Sequence, residues 1–350
     1  MDNFTIFVSI ASYRDPECKF TVGDLFQNAK HPDRIFVGIC QQNNFNLSTE
    51  NCISSEQQPY SQNVRILTLP YQQAKGPTYA RYLCSTLYQN EDFFLQIDAH
   101  SKFVKDWDNL LLEMYFLLKN AHQITKIILS TYPGSMEDYT PYPSHKAVPY
   151  IGSAYQKNGI IRYQATKYKK TSLLPIPNLF IAAGFLFTTG SWLKDVPFDP
   201  NLDYLFIGEE ILLSARSYTK GWDIFTPNKE IIFHHYLRYD ENKIWEDITY
   251  SAKKAENRLK NLLSLDSNLH IMAKNDKYGI GSTRDLKEYL YKIGILKDSS
   301  LKNEISEIEY FQNNSEFTRT STFSIHIPLL ILLCVLLTCS IVYNFHYTSK

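Results

Sequence analysis

The sequence has no excess charge of either sign: 36 Lys and Arg face 36 Asp and Glu in 350 residues. Without a basic surface, nucleic acid is not expected as a partner. The six cysteines (Cys18, Cys40, Cys52, Cys84, Cys334, Cys339) contain no CxxC and no paired spacing. That suggests neither a zinc site nor a disulfide framework, and reduced, mostly buried thiols are the expectation. No GxGxxG follows the first apolar run and no GxxxxGK[ST] occurs, which removes the main support for a dinucleotide or P-loop site. Before the first run, Phe4 to Ala11, there is no basic n-region and no small-residue cleavage site, so no secretory signal is expected.

What is present starts with aromatics, 25 Tyr and 21 Phe. They fit a core with aromatic-lined clefts of the kind that stack sugars or bases, although most such rings simply fill cores. The C-terminus has a different character. Ile325 to Tyr343 is almost purely apolar and uncharged, and roughly 20 such residues cross a bilayer as a helix. Residues 325–345 are therefore expected to form a transmembrane helix, 298–324 a polar linker, and 1–297 the folded domain. A single-pass C-terminal anchor with a cytosolic domain follows, and the sequons at Asn3, Asn46 and Asn313 would then be silent.

Along the chain, Phe4 to Ala11, Arg34 to Gln41, Asn63 to Leu69 and Phe93 to Asp98 read as strands. Glu17 to Ala29 and the segment opened by Gly76-Pro77 read as helices between them, the second carrying Tyr79, Leu83 and Leu87 on one face. Asp106 to Asn120 reads as a further helix, Lys126 to Thr131 and Asn178 to Gly190 as further strands. Alternation of this kind predicts an α/β fold with a mixed, mainly parallel open sheet and flanking helices. Ligands of such sheets bind outside the carboxyl ends of the strands, which gathers Ser12 to Asp15, Gly76 to Arg81 and Asp98 to His100 along one edge.

The stretch Phe93 to His100 ends in Asp98-Ala99-His100. Side chains two apart on an extended segment point the same way, so Asp98 and His100 could grip one divalent cation. Carboxylate oxygen plus imidazole nitrogen suits a borderline metal such as manganese better than calcium. A strand followed by a polar turn also gives this pair with no metal at all. An Arg at position 81, near the end of the Asp98 strand, could reach a diphosphate; a solvated surface Arg is the rival reading. Glu209 and Arg216 are seven apart and share a helix face, whereas Glu210 points about 100° away, which makes Glu209 the one to face a cleft. The pair His234-His235 closes a strand and offers a third ligand.

Ala11-Ser12-Tyr13-Arg14-Asp15, Gly76-Pro77-Thr78-Tyr79-Ala80-Arg81, Gln96-Ile97-Asp98-Ala99-His100, Ala182-Ala183-Gly184-Phe185, Val196-Pro197-Phe198-Asp199-Pro200, Gly208-Glu209-Glu210 with Ala215-Arg216, and His234-His235-Tyr236-Leu237-Arg238 stand in this order. Together with Tyr278 to Leu286 they resemble the cytoplasmic polypeptide (hydroxyproline) α-N-acetylglucosaminyltransferases, relatives of the mucin-type GalNAc-transferases. The resemblance runs from about Ile6 to about Leu296. It implies a GT-A fold, retaining transfer of GlcNAc from UDP-GlcNAc to a hydroxyl, in that family a hydroxyproline of a polypeptide, and a metal held by a DxH motif. Asp98 and His100 match that motif, Glu209 matches the sugar-binding Glu, and His234 looks like the distal metal ligand, with Tyr236 and Arg238 two and four residues on; His235 is its rival. Asp98 and Glu209 are thus the candidate catalytic residues, with Ser12, Arg14 and Asp15 at the uridine and Gly76 and Arg81 near diphosphate and sugar. The apolar tail is no part of that family's core, so location and acceptor do not carry over. A metal-dependent nucleotide-sugar hydrolase and a membrane-tethered inactive fold acting as a binding module are the alternatives.

Overall fold

The computed structural model describes residues 3–53, 60–143, 147–164, 167–238, 241–265 and 276–296. The chain divides after Leu301 into two units, and all described residues belong to the first. The expected linker, 298–324, and transmembrane helix, 325–345, lie outside the described residues. Among the described residues no helix is long and apolar enough to cross a membrane.

Eight strands build the central sheet: β1 (Ile6–Tyr13), β2 (Ile35–Asn43), β3 (Val64–Pro70), β4 (Phe93–Asp98), β5 (Ile127–Ser130), β6 (Ile176–Asn178), β7 (Phe185–Thr189) and β8 (Asp223–Thr226). Their spatial order is β6-β8-β5-β7-β4-β1-β2-β3. The pairs β1–β2, β1–β4, β2–β3 and β5–β8 are parallel, while β7 runs antiparallel to β4 and β5, and β6 to β8. The expectation of a mixed, mainly parallel sheet with flanking helices agrees with this.

Both faces are covered at the centre of the sheet, so β1, β2, β4 and β5 read as apolar runs without alternation, whereas β3 at the edge stays half-exposed. Ile6, Val8 and Ile10 with Leu95 and Ile97 pack against helices α1 (Cys18–Asn28) and α3 (Trp107–His122) through Val22, Leu25, Leu111 and Leu118. Phe7 and Phe94, on the alternate positions, meet Trp192, Phe198, Trp222 and Leu213, the last from α4 (Glu209–Thr219).

Three expectations are corrected. Asn178 to Gly190 is not one strand: β6 and β7 are separated by a turn in which the Ser130 hydroxyl accepts from Ala182 N–H and Glu210 accepts from Ala183 N–H. These side chains take the backbone groups that a continuous ladder would have used. In α2 (Pro77–Ser85) the buried residues are Thr78, Ala80, Arg81 and Cys84, not the Tyr79, Leu83 and Leu87 face, which is only half-buried. The helix turns its arginine inward because buried carboxylates wait there. Third, Cys18 and Cys52 form a disulfide. The two lie 34 positions apart, a spacing without any signal, and the parallel pairing of β1 and β2 brings the segments that follow them side by side.

Candidate active site

The β1–β4 register sets Ala11 opposite Asp98, so Ser12 and Tyr13, which pair with β2 alone, carry β1 past the end of β4 before the chain bends at Arg14. His234 arrives from 134 residues away on a small sheet, where Ile232–His234 pairs antiparallel with Ser101–Phe103 and His234 faces Ser101. Its Nε2 stands 3.2 Å from Asp98 Oδ2 and 2.9 Å from His100 Nε2. His235 turns the other way and bonds Glu17 through Nδ1 at 2.7 Å. The structure thus brings His234, and not its neighbour, to Asp98 and His100.

One ligand atom from each of Asp98, His100 and His234 lies within 4.8 Å of the others. His100 Nδ1 faces the Asp15 carboxylate at 2.8 Å, which assigns its proton to Nδ1 and leaves a lone pair on Nε2. Two ring nitrogens and a carboxylate oxygen aimed at one point form the donor set of a borderline divalent cation, and the residues present fit such an ion. Gly184 belongs to the same point: a Cβ there would stand 2.8 Å from Asp98 Oδ2.

Arg81, only 5% exposed, donates through NH2 to Asp98 Oδ1 at 2.9 Å and through NH1 to Glu209 Oε2. Burial disfavours its charge, but Glu209 and Asp98 outweigh that and hold its pKa above the usual guanidinium value. For Asp98 burial pushes up, while the His234 hydrogen bond and the Arg81 guanidinium hold the carboxyl below the usual range. Burial raises Glu209 despite Arg81. Its Oε1 is fully enclosed and has no hydrogen-bond partner among the described residues, an acceptor left for something else to satisfy.

Gly76 caps the start of α2 at φ +88°, a left-handed conformation that suits glycine. Ser12 is buried, and its Oγ has no hydrogen-bond partner among the described residues. Arg14 is held by Glu50 at 3.0 Å and by Asp247 at 2.8 Å, and it lies over the Tyr71 ring. Asp247 also accepts from the Tyr13 hydroxyl. The predicted nucleotide contacts therefore share one edge, yet Arg14 is engaged by carboxylates and Asp15 by His100.

A cavity of about 370 Å³ opens beside the cluster and is lined by Arg81, Asp98, Glu209 and His234. Tyr132, Tyr155, Tyr163, Phe206 and Tyr236 give it an aromatic lining as well. Glu210 lines it as well, against the expectation that only Glu209 would face a cleft. Its carboxylate accepts from Ala183 N–H at 3.0 Å and from the Tyr132 hydroxyl at 2.8 Å, and burial raises it to about 7. Helix periodicity placed it correctly relative to Glu209 but carried no information on what surrounds the helix. Arg162, on a hairpin joining Ala154–Lys157 to Ile160–Tyr163, reaches the same cavity and has no hydrogen bond or ion pair to a described residue. Nothing in the local sequence marks it.

The family model "Glycosyltransferase (GlcNAc)" matches residues 5–59 and 55–298, most of the chain. The chain belongs to this GlcNAc glycosyltransferase family. No curated protein matches it. Among solved structures, GalNAc-T7 with UDP, GalNAc and Mn2+ is similar at 13% identity and TM-score 0.53, over 93% of this chain and 59% of that one. This chain thus spans under two thirds of GalNAc-T7, and at that identity the likeness speaks to the fold alone. S. aureus TarS 1-349 in complex with UDP-GlcNAc is similar at 12% identity and TM-score 0.44, over 89% of this chain and 79% of that one. Within the GlcNAc glycosyltransferase family reading, the cluster and its cavity are the candidate active site.

Proposed function

We propose that this chain is a retaining transferase that moves GlcNAc from UDP-GlcNAc to a hydroxyl on a polypeptide, with manganese held by Asp98, His100 and His234. The carrying observation is the half-buried cluster of Asp98, His100 and His234 beside a cavity that Asp98, His234, Arg81 and Glu209 line.

A bound divalent cation would supply Lewis-acid neutralisation of charge on the departing diphosphate, worth several kcal/mol. The protein's own groups do the rest. Arg81 fixes the Asp98 and Glu209 carboxylates, Gly184 leaves room for Asp98, and Glu209 orients the donor sugar. The segment Ser12 to Asp15, where β1 ends, and the start of α2 at Gly76 border the nucleotide side, while Tyr132, Tyr155 and Tyr236 exclude water and stack the acceptor. Arg162 would meet a carbonyl or carboxylate of the acceptor. In the transfer, the acceptor oxygen bonds to the anomeric carbon as the bond from that carbon to the β-phosphate oxygen breaks. UDP leaves with the electron pair, and the acceptor's proton passes to the departing phosphate on the same face. Trapping a glycosyl adduct on Glu209 would sink this front-face course.

We also propose the anchor at 325–345. The Cys18–Cys52 bond is the structural feature that bears on its orientation, and it favours an oxidising compartment over the cytosol, where thiols stay reduced.

The test is UDP release by the full chain from a panel of UDP-sugars, with manganese and then with chelator, in the presence and absence of hydroxyproline peptides. Manganese-dependent release selective for UDP-GlcNAc and stimulated by peptide is expected. Release of free GlcNAc that no acceptor stimulates would assign a hydrolase instead, and absence of both release and UDP binding would favour a binding module.

A further inference from the structure

Asp15 was expected at the nucleotide, but its carboxylate is committed elsewhere. It is 2% exposed. Its Oδ1 accepts from Glu17 N–H at 2.9 Å, and its Oδ2 lies 2.8 Å from His100 Nδ1 and 2.9 Å from the Arg238 guanidinium. Both oxygens are used, and both face protein. Arg238 in turn brings NH1 to 3.4 Å of His100 Nε2, so Asp15 and Arg238 bracket one imidazole.

The placement of Asp15 is built into the chain. Arg14, at the end of β1, adopts φ +47°, unusual for a residue with a side chain. That bend ends the strand and turns the Asp15 carboxylate back toward His100. The Cys18 N–H donates to Asp15 O at 3.3 Å, fixing the carboxylate's own backbone to the start of α1, where the disulfide to Cys52 is anchored.

We infer that Asp15 is a positioning residue that locks the ring and tautomer of His100, presenting its Nε2 lone pair to the cation, and that it makes no contact with the nucleotide. The inference rests on the cation reading of Asp98, His100 and His234. An imidazole that ligates through one nitrogen needs its other nitrogen's proton held, and a carboxylate holds it most firmly, orienting the ring and raising ligand basicity. Free to rotate, His100 could present Nε2–H to the ion, and the site would lose one of its two nitrogen donors. Arg238 completes the arrangement by making the buried Asp15 charge tolerable.

The experiment uses the full chain without nucleotide. Manganese affinity is measured by electron paramagnetic resonance of the free ion for the native protein, Asp15→Ala, Asp15→Asn and the ligand-loss reference His100→Ala. In parallel, nitrogen NMR of metal-free protein reads the His100 tautomer. The native protein should show His100 protonated at Nδ1. Asp15→Ala should bind manganese about 10- to 100-fold more weakly, with a mixed His100 tautomer. Asp15→Asn keeps the shape, and it should lose less affinity while its circular dichroism stays native, which covers the case that the alanine variant does not fold. Manganese affinity unchanged in both variants, or His100 protonated at Nε2 in the native protein, overturns the inference. Absence of manganese binding in the native protein defeats the cation reading instead, and the tautomer measurement then still decides whether Asp15 holds His100.

Discussion

Arg81 NH2 and Asp98 Oδ1 meet at 2.9 Å where β4 ends and α2 begins, and the other arm of the same guanidinium holds Glu209. One buried cation thus fixes the candidate metal carboxylate and the candidate sugar carboxylate at once. Replacing Arg81 with Met leaves two acids without their counter-charge and should cost about 3–5 kcal/mol. The double variant Arg81→Met with Glu209→Gln should recover part of that loss, a coupling that a denaturation double-mutant cycle measures. Strict additivity would show that the three groups do not act as a unit.

Gly184 tests the space around Asp98. A methyl group there meets Asp98 Oδ2 at 2.8 Å, so Gly184→Ala must displace the carboxylate. Transfer should fall about 10- to 100-fold, as for a small misplacement of a reacting group, with stability changed by less than about 1 kcal/mol. Steady-state rates beside thermal melts check this.

Glu210 gives the fold a signed pH dependence. Burial raises its carboxyl from 4.5 in the unfolded chain to about 7 in the fold. Between those values the unfolded chain releases a proton that the folded one keeps, so this contribution to stability is present at low pH and lost as pH rises through 7. The Glu210→Gln variant should lack that fall, gaining on the native protein by about 2 kcal/mol between pH 5 and 8. Parallel pH profiles for the two proteins would contradict the raised carboxyl.

The disulfide closes a loop of 34 residues. Its removal by Cys18→Ser with Cys52→Ser should cost about 3–4 kcal/mol by chain entropy, read as a lower denaturation midpoint than that of the oxidised native protein. An unchanged midpoint would contradict the bond.

The central strands were legible because β1, β2, β4 and β5 are buried on both faces and read as apolar runs, and the bend after β1 and the Asp98–His100 pair followed from the ends of those runs. A third ligand was legible in the His234-His235 pair closing a strand, and His234 was preferred over His235 only through the family resemblance that Tyr236 and Arg238 carry, since 134 residues separate it from His100. Glu210, Arg162 and the engagement of Asp15 were not legible. Each depends on which segments distant in sequence meet in space, and local periodicity does not carry that information. The disulfide failed for the same reason: two segments that follow parallel strands meet in space with no trace in their spacing.

The most direct test of the central claim is anomalous scattering at the manganese edge from crystals of the full chain soaked with manganese and UDP. A single peak bound by an Asp98 oxygen, His100 Nε2 and His234 Nε2 is the predicted result. A peak at His235 and Glu17, or none near Asp98, would contradict it.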